Sequence, residues 1–205
     1  SSNKYLTDFR TKWGEEIDNY FEVSSVGLPK GMINRKDEEP KSKDDWGNAV
    51  SEIINNSPLF DIDISASPFV FGNCDIEVLV KALDNIDGEY NIVIAITEDS
   101  IVDWQKNGSY DDSVYVHNHV LRAIINNTWG ENLKNSNNYT ANEEINLSYN
   151  ISISSLEQFN INHSTNELFM GNGNTGAWDT NKLNIVAYIY NVDNKEIIQV
   201  EELHL

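Results

Sequence analysis

His117 and His119 stand two positions apart in Tyr115-Val116-His117-Asn118-His119. Residues i and i+2 of a β-strand share a face. The spacing therefore predicts two adjacent imidazoles, a geometry that chelates zinc, copper or nickel. A third ligand is required, and Glu131, Glu98 and Asp99 are the candidates. The plain alternative is a pair of polar rings hydrogen-bonded on the wet face of a sheet. Glu98-Asp99 and Asp111-Asp112 are local carboxylate pairs. Paired carboxylates hydrolyse glycosides only at defined separations in space; otherwise they are solvated surface. Asp84-Asn85-Ile86-Asp87-Gly88-Glu89 offers the oxygen ligands that calcium takes. It lacks the EF-hand spacing and reads first as a hairpin turn. The expectation is no cofactor, with calcium or a transition metal as the alternative.

Trp104, Trp129 and Trp178 lie outside the clearest strand patterns. Aromatic side chains on loops stack on sugars or anchor protein partners; the structural alternative is that each plugs one end of a sandwich. Arg122 is expected to pair with Glu98 or Glu131 and so hold a loop against the sheet. Cys74 has no cationic neighbour in sequence to activate it. The glycine-rich run Gly171-Asn172-Gly173-Asn174-Thr175-Gly176 lacks the Lys-Ser/Thr of a phosphate loop. No Gly-x-Ser-x-Gly nucleophile elbow occurs.

The whole chain narrows the choices further. Its 205 residues carry 33 acidic and 14 basic side chains, a net charge of −19. Phosphate backbones require a clustered basic surface, so nucleic acid is excluded as a partner. Electrostatic docking on anionic lipid is disfavoured for the same reason. A single cysteine permits neither an intramolecular disulfide nor a CxxC pair within this chain. No run approaches the ~18 apolar residues of a membrane helix. Ser1 is not followed by a basic and then apolar signal segment, and the start reads as that of a processed or trimmed chain.

The elements that must position these residues change character near residue 66. Tyr5, Phe9, Trp13 and Ile17 recur every four residues, which predicts one apolar helical stripe. A turn at Gly27-Leu28-Pro29 leads to a short strand at residues 31–34. Ser42 and Asp45 resemble a capping box before a helix presenting Trp46, Val50, Ile53 and Ile54. Residues 59–64 then read as a strand, completing an α/β order. Beyond residue 66 the period is two. Residues 76–81, 90–96, 145–153, 183–190 and 196–201 read as strands, the last two joined by a hairpin turn. Residues 115–125 form a further candidate whose length also permits a helix, and 156–179 show no clear period. The second part is expected to be an antiparallel β-sandwich, jelly-roll or immunoglobulin-like, giving an α+β chain overall.

Two separated groups of residues carry a resemblance. The first is Gly27-Leu28-Pro29-Lys30-Gly31-Met32-Ile33-Asn34-Arg35 followed by Trp46. The second is Thr97-Glu98-Asp99-Ser100-Ile101, Gln105, Tyr115 through Arg122, and Trp129-Gly130-Glu131. Together with the last two strands they resemble the twenty-eight-kilodalton outer-membrane-protein family of Bacteroidetes. The resemblance is specific around residues 97–131 and loose over 132–180. It implies a thioredoxin-like module followed by a β-sandwich on an envelope lipoprotein. Residues 1–65 would be the later part of that module and 66–205 the sandwich. Pro29 would then follow a cis peptide bond. The resemblance implies no catalytic residues.

The expected function is that of a non-catalytic cell-envelope surface protein. It would bind a glycan or protein through Trp104, Trp129 and Trp178, with no transmembrane segment in this chain. Two alternatives stand beside it. One is a metal-dependent enzyme or metal-binding protein built on His117, His119 and Glu131. The other is a thiol–disulfide role of the full-length protein, with its cysteines upstream of Ser1.

Overall fold

The computed structural model describes residues 4–205, the side chain of Asn107 excepted. The start at Ser1, read above for signal features, lies outside the described residues. The chain opens with α1 (Lys12–Phe21), the two-residue strands β1 (Lys30–Gly31) and β2 (Lys41–Ser42), and α2 (Trp46–Ile53). The strands β3 (Phe60–Ala66), β4 (Asn73–Ala82), β5 (Ile86–Asp87) and β6 (Tyr90–Glu98) follow. Next come β7 (Ile101–Asn107), β8 (Tyr110–His117), β9 (Val120–Ile124), β10 (Glu131–Asn132) and β11 (Asn138–Tyr139). The chain ends with β12 (Glu144–Ser152), α3 (Ile153–Asn166), β13 (Leu183–Asn191) and β14 (Ile197–His204).

Two antiparallel sheets form the core. In one, β6 pairs with β13 and β13 with β14, while β9 and β10 share the other edge of β6. The second sheet has the order β12-β4-β3. The inward residues follow from period-two alternation: Phe60, Ile62 and Ile64 of β3 are buried while Asp61, Asp63 and Ser65 are exposed. They join Ile76, Val78 and Val80 of β4 in one core cluster with Ile92, Ile94, Ile96, Ile185 and Ile189. Each such side chain withdrawn from water contributes about 1.5–3 kcal/mol.

β6 and β13 are buried on both faces. The second face is covered by the N-terminal segment, held by an unusual clasp. Arg35, in a left-handed conformation with φ 54°, is buried over the sheet. Its guanidinium sits 5.1–5.9 Å from the rings of Phe21, Trp129, Tyr188 and Tyr190. Nη2 donates to Tyr188 Oη at 2.9 Å.

Several local expectations are revised. α1 starts at Lys12 because Thr11 caps it, Oγ1 accepting from Gly14 N at 3.1 Å. Tyr5 and Phe9 therefore precede the helix instead of extending its stripe. On α2, Val50 and Ile54 stay exposed and Ala49 is the buried residue. β3, expected to close the N-terminal module, hydrogen-bonds along β4 as part of the sandwich. The Leu28–Pro29 peptide bond, by contrast, is cis as the resemblance implied. α3 occupies part of the stretch that had no clear period. Its buried residues are Ile153, Asn160, His163 and Ser164, so an apolar stripe was never there to be read.

Candidate functional site

The three expected metal ligands do not meet. His117 ends β8 opposite Ile101, its ring 5.5 Å from Phe9 and 4.8 Å from Tyr115. His119 has φ 53°, so the strand is broken between the two histidines and the shared face is lost. Its Nδ1 lies 3.3 Å from Asp99 Oδ1 and its Nε2 lies 3.4 Å from Glu202 Oε2. Glu131 pairs opposite Ile92, near the start of β6, whereas the strand after His119 begins opposite Glu98 at the other end. There Glu131 accepts from Tyr149 Oη at 2.5 Å and Asn126 Nδ2 at 3.2 Å. Among the described residues no group of three or more His, Cys, Asp or Glu has the geometry to hold a metal ion.

The other acidic candidates have local partners. Asp99 accepts from His119 N at 2.6 Å and Asn184 Nδ2 at 2.9 Å. The His119 amide in particular holds its carboxyl below the ordinary aspartate range. Asp111 takes Lys4 and Tyr5. Asp87 accepts from Asn138 Nδ2 at 2.5 Å where β5 pairs with β11, so its stretch is built as a turn and bridge. Cys74 is buried and donates to Ser67 O at 3.1 Å; burial pushes its thiol up, away from reactivity.

The tryptophans do not form one exposed surface. Trp178 is only 8% exposed, with the Arg122 guanidinium 5.6 Å from its ring. It plugs the interior, which removes it from a contact surface. Trp104 lies half-buried on β7 against Tyr5. Trp129 lies half-buried in the turn before β10, against Tyr20 and Phe21. β7 follows the end of β6 and β10 pairs with its start, so the two rings sit at opposite ends of that strand.

Arg122 behaves as its sequence context predicts. Nε donates to Glu98 Oε2 at 2.7 Å, and Nη1 donates to Thr175 O at 2.7 Å. Glu98 Oε1 accepts from Asp179 N at 3.0 Å. The pair thus holds both ends of the glycine-rich loop's return to β13.

The structure adds a feature that sequence reading missed. β3 and β14 are the outer strands of their sheets, and a groove follows the seam between them. Its middle is a cavity of about 520 Å³ lined by Asp61, Asp63, Lys81, Glu201, Glu202 and Leu203 among others. Toward the end of β14 it continues into a hollow of about 600 Å³ that includes Pro68, Phe69, Leu203 and Leu205. At the opposite end Gln199 Nε2 donates to Phe60 O at 2.8 Å and ties the sheets together. Alternation told which residues of β3 and β14 face out, but nothing in it reveals which strands become neighbours.

Fold and groove define a β-sandwich protein with a helical outer layer and a cleft along the seam between its two outer strands. The same fold occurs in HBP35 of Porphyromonas gingivalis. That likeness has a TM-score of 0.66 at 10% identity and covers 95% of this chain and 57% of that one. A domain of the outer membrane lipoprotein Omp28 from the same organism is 18% identical over 72% of this chain and 88% of that one. The TM-score of that match is 0.43. No curated protein matches the chain. The chain belongs to the Omp28 outer membrane protein family, whose model matches residues 15–205. Membership places it at the cell envelope, at the outer membrane. Among the described residues no helix is long and apolar enough to cross a membrane.

Proposed function

We propose that this chain is a non-catalytic binding module of the cell envelope and that its ligand site is the groove between β3 and β14. The observation that carries this reading is the pair of outer strands flanking one continuous cleft. Strand edges left open are usually shortened, covered or bulged. Here both run beside cavities of the size that small ligands and peptide side chains occupy. The engagement of Glu98, Asp99 and Asp111 by neighbouring residues supports a binding over a hydrolytic reading.

The test is amide chemical-shift mapping with a panel of envelope glycans and short peptides. The expected result is at least one ligand whose shifts concentrate at residues 60–66 and 199–205. A panel that leaves those amides unmoved, or moves only amides elsewhere, rejects the assignment.

A further inference from the structure

We infer that the ligand of this groove is an extended, cationic polypeptide segment that adds as a strand along the open edge of β3. This rests on the groove being the ligand site and goes on to name the chemistry that fits it.

The backbone supplies the first argument. Leu83 N donates to Leu59 O and Ser67 N to Asp75 O, which fixes which residues of β3 bond toward β4. In an antiparallel pair these alternate with residues whose N–H and C=O point the other way. Ile62 and Ile64 therefore turn their backbone groups toward the groove, as does Phe60, whose carbonyl is the one taken by Gln199. On β14, Leu205 N donates to Leu183 O. The same alternation turns the backbone of Glu202 and His204 outward. An extended peptide can satisfy such groups by strand addition.

Charge supplies the second. Asp61, Asp63, Glu201 and Glu202 line the middle of the groove, and Lys81 is the sole basic side chain there. Glu202 faces His119 and His204 at 3.4 and 3.5 Å. Asp61, Asp63 and Glu201 have no ion pair or side-chain hydrogen bond among the described residues. Asp61 and Asp63 stand on one face at the two-residue repeat of roughly 7 Å. Lysine or arginine at alternate positions of an added strand would match that repeat. The apolar hollow of Pro68, Phe69, Leu203 and Leu205 then receives a hydrophobic residue at one end of the segment.

The same features reject other occupants. A second copy of a chain with a net charge of −19 would set carboxylate edges against each other. A neutral glycan seeks exposed aromatic faces to stack on, and these two cavities offer half-buried Phe69 and the His204 ring, with no Trp or Tyr among the described residues lining them.

The probe is a short alternating Lys-Val peptide with a terminal leucine. Two controls accompany it: the Glu-Val counterpart, and a Lys-Val peptide N-methylated at alternate residues, which keeps charge but cannot pair as a strand. Titration calorimetry and amide shifts are read at low salt and at about 0.15 M ionic strength. The expected result is binding of the Lys-Val peptide with shifts at residues 60–66, weakened by salt. N-methylation, or Asp61→Asn with Asp63→Asn, should each weaken it by about tenfold or more. Equal binding of the N-methylated or Glu-Val peptide overturns the inference. So does a glycan that shifts groove amides while the peptide does not, although the groove then remains the ligand site. Groove amides unmoved by peptides and glycans alike overturn both readings.

Discussion

Arg122 and Glu98 form an ion pair in which both side chains are all but removed from water, 2% and 3% exposed, with Nε 2.7 Å from Oε2. The pair joins β9 to β6 and reaches across to residues 175 and 179 through one acceptor and one donor of the loop backbone. Withdrawing two charges from water is costly unless each finds its complement. Here the guanidinium and the carboxylate each make a second contact besides their own.

Removing one partner should therefore be severe. Glu98→Ala leaves a buried guanidinium facing a cavity and is expected to cost about 3–5 kcal/mol, read from urea unfolding. Arg122→Lys keeps the charge but loses the fork that serves Glu98 and Thr175 at once. It should fall between wild type and Glu98→Ala. If Arg122→Lys unfolds at the wild-type midpoint, the fork is not what holds the loop.

Tyr139 gives a prediction of opposite sign. Its hydroxyl is buried without a hydrogen-bond partner among the described residues, between Phe60 and Tyr90 at ring separations of 5.2 and 5.8 Å. Burial pushes its pKa up to about 12. The unfolded tyrosine ionises first, so this side chain's contribution to stability is lost as pH rises above about 10. Tyr139→Phe should equal or exceed wild type in unfolding free energy at neutral pH. It should also lose part of the alkaline decline. A loss of about 1 kcal/mol or more at neutral pH would show that the hydroxyl has a partner in solution.

Asp99 contributes to the acid limb, beside Asp8, Asp111, Glu143 and Asp179. Its carboxyl is held low by the His119 amide and by Asn184. Between its folded and unfolded values the unfolded chain binds more protons. The stabilisation is therefore complete above the ordinary aspartate range and is lost as pH falls through the lower folded value. Asp99→Asn should flatten the melting-temperature profile below about pH 4. An unchanged slope would assign the acid limb to other carboxylates.

Much of the sandwich was legible because alternation is a local signal. The Ile92-Ile94-Ile96 repeat and the inward isoleucines of β3 announce a buried face before any partner is known. That Arg122 would take Glu98 or Glu131 was legible too, since a rare cation within a strand demands an anion; the fold selects Glu98. Other parts were decided by tertiary context. The positive φ of His119 overrode the shared-face expectation for the two histidines. α3 buries Asn160, His163 and Ser164, each held by partners far along the chain, such as Arg122 O, Glu15 and Asp8. No hydropathy pattern can register a face of that kind. The groove belongs to the same category, because β3 and β14 become neighbours only when the two sheets stack.

The central strand pair has a consequence for how the molecule comes into being. β6 lies against β13 along its whole length, Tyr90 opposite Asn191 and Glu98 opposite Leu183. The middle of the main sheet thus waits for a segment that follows β6 only after all of β7 to α3. Closing so long a loop before any reward is an entropic burden that slows folding. The core is unfinished until residues 183–191 join it, since β13 supplies Leu183, Ile185, Ala187 and Ile189. Until then the main sheet stays open, and β13 acts as the latch that closes it.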